Sequence, residues 1–248
     1  MKKDLQSTSN KANLSPAGKG VMDFMNMNLG SLSDVSLPRL FNQLVIFILD
    51  GSGSMSFPGT SGQAKAEEVN QVTNSIIERL MKSRQKECFD VGGYAFAVDT
   101  QCMIAVTSAE DIRIGHDFNP CNYVGDHRAT RVAKAFERTE QDIQKYFEKH
   151  ISSGIKTRAI VVLLSDGQLH DYEEARTITK RLLTTKKVDI SCTYFSGADD
   201  VLSDEISSSQ EKLRSLSSLD LMYASTVSAE DIRDHMVKSI SISSGVPL

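Results

Sequence analysis

The chain has 248 residues, enough to bury one full core, with 40% apolar and 24% charged residues, the composition of an ordinary globular domain. A net charge of -4 gives no basic surface for a phosphate backbone, which argues against nucleic acid as the partner. No apolar run reaches the ~18 residues of a membrane span, and Lys2-Lys3 leads into polar residues rather than an apolar signal core, so a cytoplasmic location is expected.

Residues 1–40 are rich in Ser, Asn, Lys, Gly and Met and read as a flexible tail. Within it, Val21 to Leu29 mixes Met and Phe with polar residues and suits folding back onto the domain better than a permanently exposed position. The domain itself is expected over 41–242, with a short C-terminal tail at 243–248.

From Leu44 onward strands and helices alternate. Leu44-Val45-Ile46-Phe47-Ile48-Leu49 is a continuous apolar run, as in a central strand covered on both faces. Val69, Val72, Ile76 and Leu80 recur at helical spacing and predict a helix over about 63–84. Phe89 to Ala97 and Gln101 to Thr107 form a hairpin across Val98-Asp99-Thr100, which makes one edge strand antiparallel. Gly115 to Ala129 lacks periodicity and reads as a long surface loop. Val132, Phe136, Ile143 and Phe147 mark a helix, and Ala159 to Leu164 is a second fully buried strand. Next come a helix through Ala175, Ile178 and Leu182, a strand over Val188 to Phe195 and a helix over Leu202 to Leu216. A short strand at Leu221 to Ala224 and a helix through Ile232, Met236 and Ile240 complete the domain.

The hexapeptide Ser-Ala-Glu-Asp-Ile-Arg occurs at 108–113 and again at 228–233, each time offering Ser as a helix N-cap with acids in the first turn. The four cysteines form no Cys-x-x-Cys pair and read as buried, reduced thiols. The fold class that results is α/β, doubly wound, with a mostly parallel six-stranded sheet, one antiparallel edge strand and helices on both faces.

The chemistry gathers where the two buried strands end. The first runs into Asp50-Gly51-Ser52-Gly53-Ser54 and the second into Ser165-Asp166-Gly167. In open α/β sheets ligands collect at such carboxyl ends. If the two strands are neighbours, Asp50 and Asp166 face one crevice and repel unless a cation lies between them. Asp50, Ser52 and Ser54 alternate, so all three can turn toward one centre. The donors are all oxygens, which selects a hard ion, magnesium or manganese, over zinc or copper. Hydroxyl donors leave the ion's charge incompletely neutralised, so an incoming carboxylate is attracted to it.

Asp50-x-Ser52-x-Ser54, then Thr130-Arg131-Val132-Ala133-Lys134-Ala135-Phe136, then Ser165-Asp166-Gly167 is an order that resembles the metal-ion-dependent adhesion site (MIDAS) of von Willebrand factor A domains. The resemblance implies that Ser52, Ser54 and Thr130 supply hydroxyls to a Mg2+ ion, that Asp50 and Asp166 act mainly through waters, and that an Asp or Glu of a partner protein completes the octahedron. Where the family commonly has Gly-Gly before its Thr, this chain has Arg128-Ala129. An alignment shifted onto His127 loses the family's spacing to Ala135 and Phe136. In style the chain is similar to intracellular bacterial tellurite-resistance-associated members, which implies an assembly or regulatory role beside kinases, phosphatases or ATPases.

Asp171 reads as the N-cap of the helix beginning there, and His170 as an exposed loop residue; His127 and His170 are candidates for contact with the partner. The expectation is a non-enzymatic interaction module. Two alternatives stand beside it: a magnesium-dependent phosphohydrolase with Asp50 as nucleophile, and a module whose metal only braces the loops.

Overall fold

The computed structural model describes residues 40–197 and 204–248. The expected tail and its Val21 to Leu29 segment lie outside these residues. One six-stranded sheet forms the centre: β1 (Phe41–Asp50), β2 (Phe89–Phe96), β3 (Thr100–Ser108), β4 (Lys156–Ser165), β5 (Val188–Phe195) and β6 (Tyr223–Thr226). Their order is β3-β2-β1-β4-β5-β6, with every pairing parallel except the β2–β3 hairpin. The helices are α1 (Lys65–Lys82), α2 (Ala133–His150), α3 (Tyr172–Thr184), α4 (Asp204–Leu216) and α5 (Ala229–Ser244). Among the described residues no helix is long and apolar enough to cross a membrane.

The continuous apolar run of β1 reflects its place in the middle of the sheet. Val45, Phe47 and Leu49 point to one face and pack with Val69, Val72, Ile76 and Leu80 of α1 and Ile232, Met236 and Ile240 of α5. Leu44, Ile46 and Ile48 point to the other and pack with α2, α3 and α4 through Phe136, Ile143, Ile178, Leu182 and Leu213. Successive side chains of a strand alternate between faces, so a strand with a core on each side carries no polar alternation.

Three expectations are corrected by the structure. The loop at 115–129 is not merely superficial, because Phe118 is fully buried and Pro120 and Val124 are nearly so, over the end of β1. The two copies of the hexapeptide also diverge. Ser228 accepts the amide of Asp231 and starts α5, whereas Ser108 makes no such bond and precedes only a short 3-10 turn at Ala109–Asp111. The downstream residues account for the difference: Met236 and Ile240 extend the apolar face of α5, while the first copy runs into Gly115, whose φ of 74° is left-handed. Third, Cys88 and Cys192 are buried free thiols, but Cys102 is exposed on the edge strand.

A pH response is built into the second face of α5. Burial lowers the pKa of His235, whose Nε2 lies 3.2 Å from Ser191 Oγ. The fold therefore favours neutral imidazole, and stability present above about 6.5 is lost as pH falls below it and the unfolded chain takes up the proton more readily. His235→Gln is expected to flatten that acid limb in denaturant unfolding measured from pH 7 down to about 5.

Candidate metal centre

The register β1–β4 pairs Leu49 with Leu164, which brings the ends of the two strands side by side and sets Asp50 level with Ser165. Asp50 is fully buried and held by two donors: the amide of Ser52 at 2.8 Å to Oδ1 and the hydroxyl of Ser165 at 2.5 Å to Oδ2. Ser54 donates its hydroxyl to Asp166 Oδ1 at 2.7 Å, and Ser52 Oγ lies 3.2 Å from Ser54 Oγ. Ser54 commits its proton to Asp166, and the Ser52 hydroxyl lies between Ser54 and the Asp50 carboxyl, to which its side chain also bonds. Oxygens from two distant segments thus form one connected cluster at the carboxyl edge of the sheet.

Burial, reinforced by the negative charge of Asp166, pushes the Asp50 carboxyl up to about 7, against the opposing effect of its hydrogen bonds from Ser165 and Ser52. Two carboxyls this close favour a positive charge beside them. Cys121 Sγ lies 3.8 Å from the Gly51 carbonyl oxygen, beside the cluster, and burial, reinforced by the charges of Asp50 and Asp166, raises the thiol to about 11 and keeps it protonated.

Thr130 lies three residues ahead of the first residue of α2 and is nearly buried, with its hydroxyl against Gly167, 3.5 Å from where a Cβ on that glycine would sit. The β4–α3 loop holds it there. His170 donates its amide to the Thr130 carbonyl at 2.9 Å, and the Thr130 amide donates to His170 Nδ1 at 3.1 Å. Asp171 occupies the N-cap position of α3, but its side chain makes no bond to that helix. Its two oxygens instead accept the amides of Val132 and Ala133, each at 2.9 Å, and so cap α2 from across the cleft. Capping by a residue nearly 40 positions away leaves no local pattern, so the sequence carries no sign of it.

His127 is half-buried, and its Nδ1 donates to the Gly51 carbonyl at 2.6 Å, while its own carbonyl accepts the Gly53 amide at 2.8 Å. His170 is exposed. Both histidines thus brace backbone segments that carry the cluster. The spacing of Gly51 and Gly53 has an unequal basis: a Cβ at Gly51 would meet the Pro120 carbonyl oxygen and Val124 at 2.9 Å, but one at Gly53 would meet only the His127 carbonyl oxygen, at 3.5 Å. Gly51→Ala is expected to cost about 1–3 kcal/mol in denaturant unfolding, and Gly53→Ala less than about 0.5 kcal/mol.

One further residue enters the site without any sequence signal. Lys65, nearly buried at the start of α1, sets its ammonium against Asp166 Oδ2. Among the described residues no group of three or more His, Cys, Asp and Glu side chains is placed to hold a metal, so a metal site here has to draw on hydroxyls. The cluster provides them, and its all-oxygen donor set, with two carboxyls of which Asp166 is paired with Lys65, fits a hard divalent ion. A cavity of about 880 Å³ lined by Phe147, Ile155, Arg158 and Leu182 contains none of these residues.

Comparison with solved structures returns the same fold at low identity. The pilus adhesin SpaC of Lactobacillus rhamnosus GG, in its open conformation, superposes with a TM-score of 0.62 at 10% identity, covering 82% of this chain and 30% of the adhesin. Proximal thread matrix protein 1 of the mussel byssus, with a zinc-occupied MIDAS motif, gives 0.54 at 14% identity over 82% of this chain and 46% of that one. Manganese-loaded TRAP of Plasmodium vivax gives 0.56 at 16% identity over 82% and 74%. The chain therefore spans about a third to a half of the first two proteins. No curated protein matches the sequence. The sequence profile of the von Willebrand factor type A domain matches residues 45–221, from within β1 to just before β6. With that match and the sheet order described above, the chain belongs to the von Willebrand factor type A domain family.

Proposed function

We propose that the chain is a metal-dependent protein-interaction module, in which Asp50, Ser52, Ser54, Thr130 and Asp166 hold a Mg2+ or Mn2+ ion and a partner protein presents an Asp or Glu to it. The observation that carries this reading is the linked cluster of Asp50, Ser52, Ser54 and Asp166 oxygens at the edge of the sheet, with the Asp50 carboxyl raised by burial beside a second acid. The hydroxyl of Thr130 against Gly167 adds a donor from a third segment. The zinc-occupied motif of the mussel protein and the manganese-loaded TRAP support a divalent ion in this fold.

When bound, the ion supplies a Lewis-acidic centre for a ligand carboxylate. The chain's own residues do the positioning. Ser165 and the Ser52 amide orient Asp50, His170 fixes the backbone of Thr130, and Asp171 fixes the start of α2. His127 and the exposed His170 flank the centre and contact the partner. A phosphohydrolase built on Asp50 needs a proton donor close by, and the residue two positions on is Ser52, a poor general acid. We assign the module an assembly or regulatory role in a cytoplasmic complex.

Calorimetric titration of Mg2+ and of Mn2+ into the metal-stripped chain tests the reading, with one site per chain as the expected result. Absence of binding for both ions overturns it. Recovery of a partner from the native host should then depend on the metal and fail in EDTA.

A further inference from the structure

We infer that Lys65 is a tethered counter-ion of the metal centre, which competes with the divalent ion for Asp166 and tunes the loaded site to an anionic ligand. This rests on the metal-site reading above and goes beyond it, because no lysine is among the residues that reading assigns.

Lys65 is the first residue of α1. Helix N-termini carry partial positive charge and favour acids, as Glu67 and Glu68 in the same turn illustrate, so a cation here is placed against the helix field. Its backbone amide is fixed by a 2.9 Å bond to the Phe57 carbonyl, which sets where the side chain begins. The side chain is only 5% exposed, and its ammonium touches Asp166 Oδ2 on a side chain that is 0% exposed. Desolvating an ammonium is costly, and attraction to buried carboxylate is what offsets it. The other oxygen of Asp166 takes the Ser54 hydroxyl, so the lysine occupies the face of Asp166 that the serine loop leaves open.

A charge count shows the consequence. With both carboxyls ionised, Asp50 and Asp166 contribute -2 and Lys65 +1, a net of about -1. A divalent ion brings the site to about +1, and a ligand carboxylate then returns it to neutrality. Without the lysine the ion alone reaches neutrality, and a ligand carboxylate leaves the site at about -1. Lys65 therefore weakens metal binding in the absence of ligand and strengthens carboxylate binding in the presence of metal. Because binding free energies are linked reciprocally, an acidic ligand tightens the hold on the metal by the same factor that the metal tightens the hold on the ligand.

The test uses the full chain, stripped of metal, and compares wild type with Lys65→Met and Lys65→Arg. Mn2+ alone is titrated by calorimetry, and melting is followed in EDTA and in Mn2+. Lys65→Met is expected to bind Mn2+ at least tenfold more tightly than wild type and to gain more in Tm on adding the ion, whereas Lys65→Arg, which keeps the charge, gains neither. At saturating Mn2+, acetate serves as the carboxylate probe, and its affinity, read from relaxation of its methyl protons, is expected to fall in Lys65→Met. If Lys65→Met does not fold in EDTA, Lys65→Gln, neutral and hydrogen-bonding, is measured in its place with the same expectation. Equal or weaker Mn2+ binding by the neutral variant overturns the counter-ion role and leaves the metal site standing. No Mn2+ binding by wild type or by any variant overturns both.

Discussion

Replacing Ser52 and Ser54 together by Ala is expected to abolish Mg2+ and Mn2+ binding in calorimetry while the domain still folds. Only two hydroxyls are removed, and each has one proton to give: Ser54 donates to Asp166, and Ser52 lies within reach of Ser54 and Asp50. Lost side-chain bonds of this kind cost roughly 0.5–1.5 kcal/mol each, a fraction of the stability of a domain whose two cores are formed elsewhere. The loop has independent support, since the Gly51 amide is bonded to Phe96 and the Gly53 amide to His127, both at 2.8 Å. Metal binding has no such reserve, because the two serines are two of the three proposed hydroxyl donors, and Thr130 is left as the only one between the carboxyls. Circular dichroism with an unchanged spectrum and calorimetry with no heat is the expected pair of results. Retained affinity in the double variant would remove the serines from the site.

Removing Asp166 is expected to do more damage than removing the hydroxyls. Asp166→Ala leaves the Lys65 ammonium nearly buried without its partner, and breaking one side of a buried ion pair typically costs about 3–5 kcal/mol. The loss should be visible in denaturant unfolding in EDTA, where metal cannot contribute. Adding Lys65→Met to Asp166→Ala removes the stranded charge and is expected to recover more than half of the loss, a strong coupling in the double-mutant cycle. If the two single losses simply add, Lys65 and Asp166 are not paired in solution. Neither double variant is expected to bind metal.

The fold was largely legible from the sequence because it depends on repeating patterns. The unbroken apolar run of β1 needs two cores, and both are present. The short connection at Val98-Asp99 forces an antiparallel hairpin, and β3 is the antiparallel edge strand. Element ends moved by a few residues, as for α1, expected over 63–84 and found at Lys65–Lys82. The hexapeptide was the least instructive local signal, since an identical string starts a helix at 228 and only a turn at 108. Capping residues offer a helix start, but continued apolar contact decides whether it propagates.

For the candidate site, the sequence by itself determined which residues end the buried strands, and so that Asp50, Ser52, Ser54 and Asp166 lie at the same edge of a parallel sheet, since strand polarity fixes which end each motif occupies. That β1 and β4 are neighbours, which brings them together, was decided by the tertiary structure. Tertiary structure alone decided the rest. Lys65 reaches Asp166, Asp171 caps α2 instead of its own helix, and His170 and His127 tie separate loops together, because each of these contacts joins segments far apart in the chain. Hydrogen bonds and ion pairs between distant segments obey no sequence period, so they become visible only when the packed sheet has set the distances.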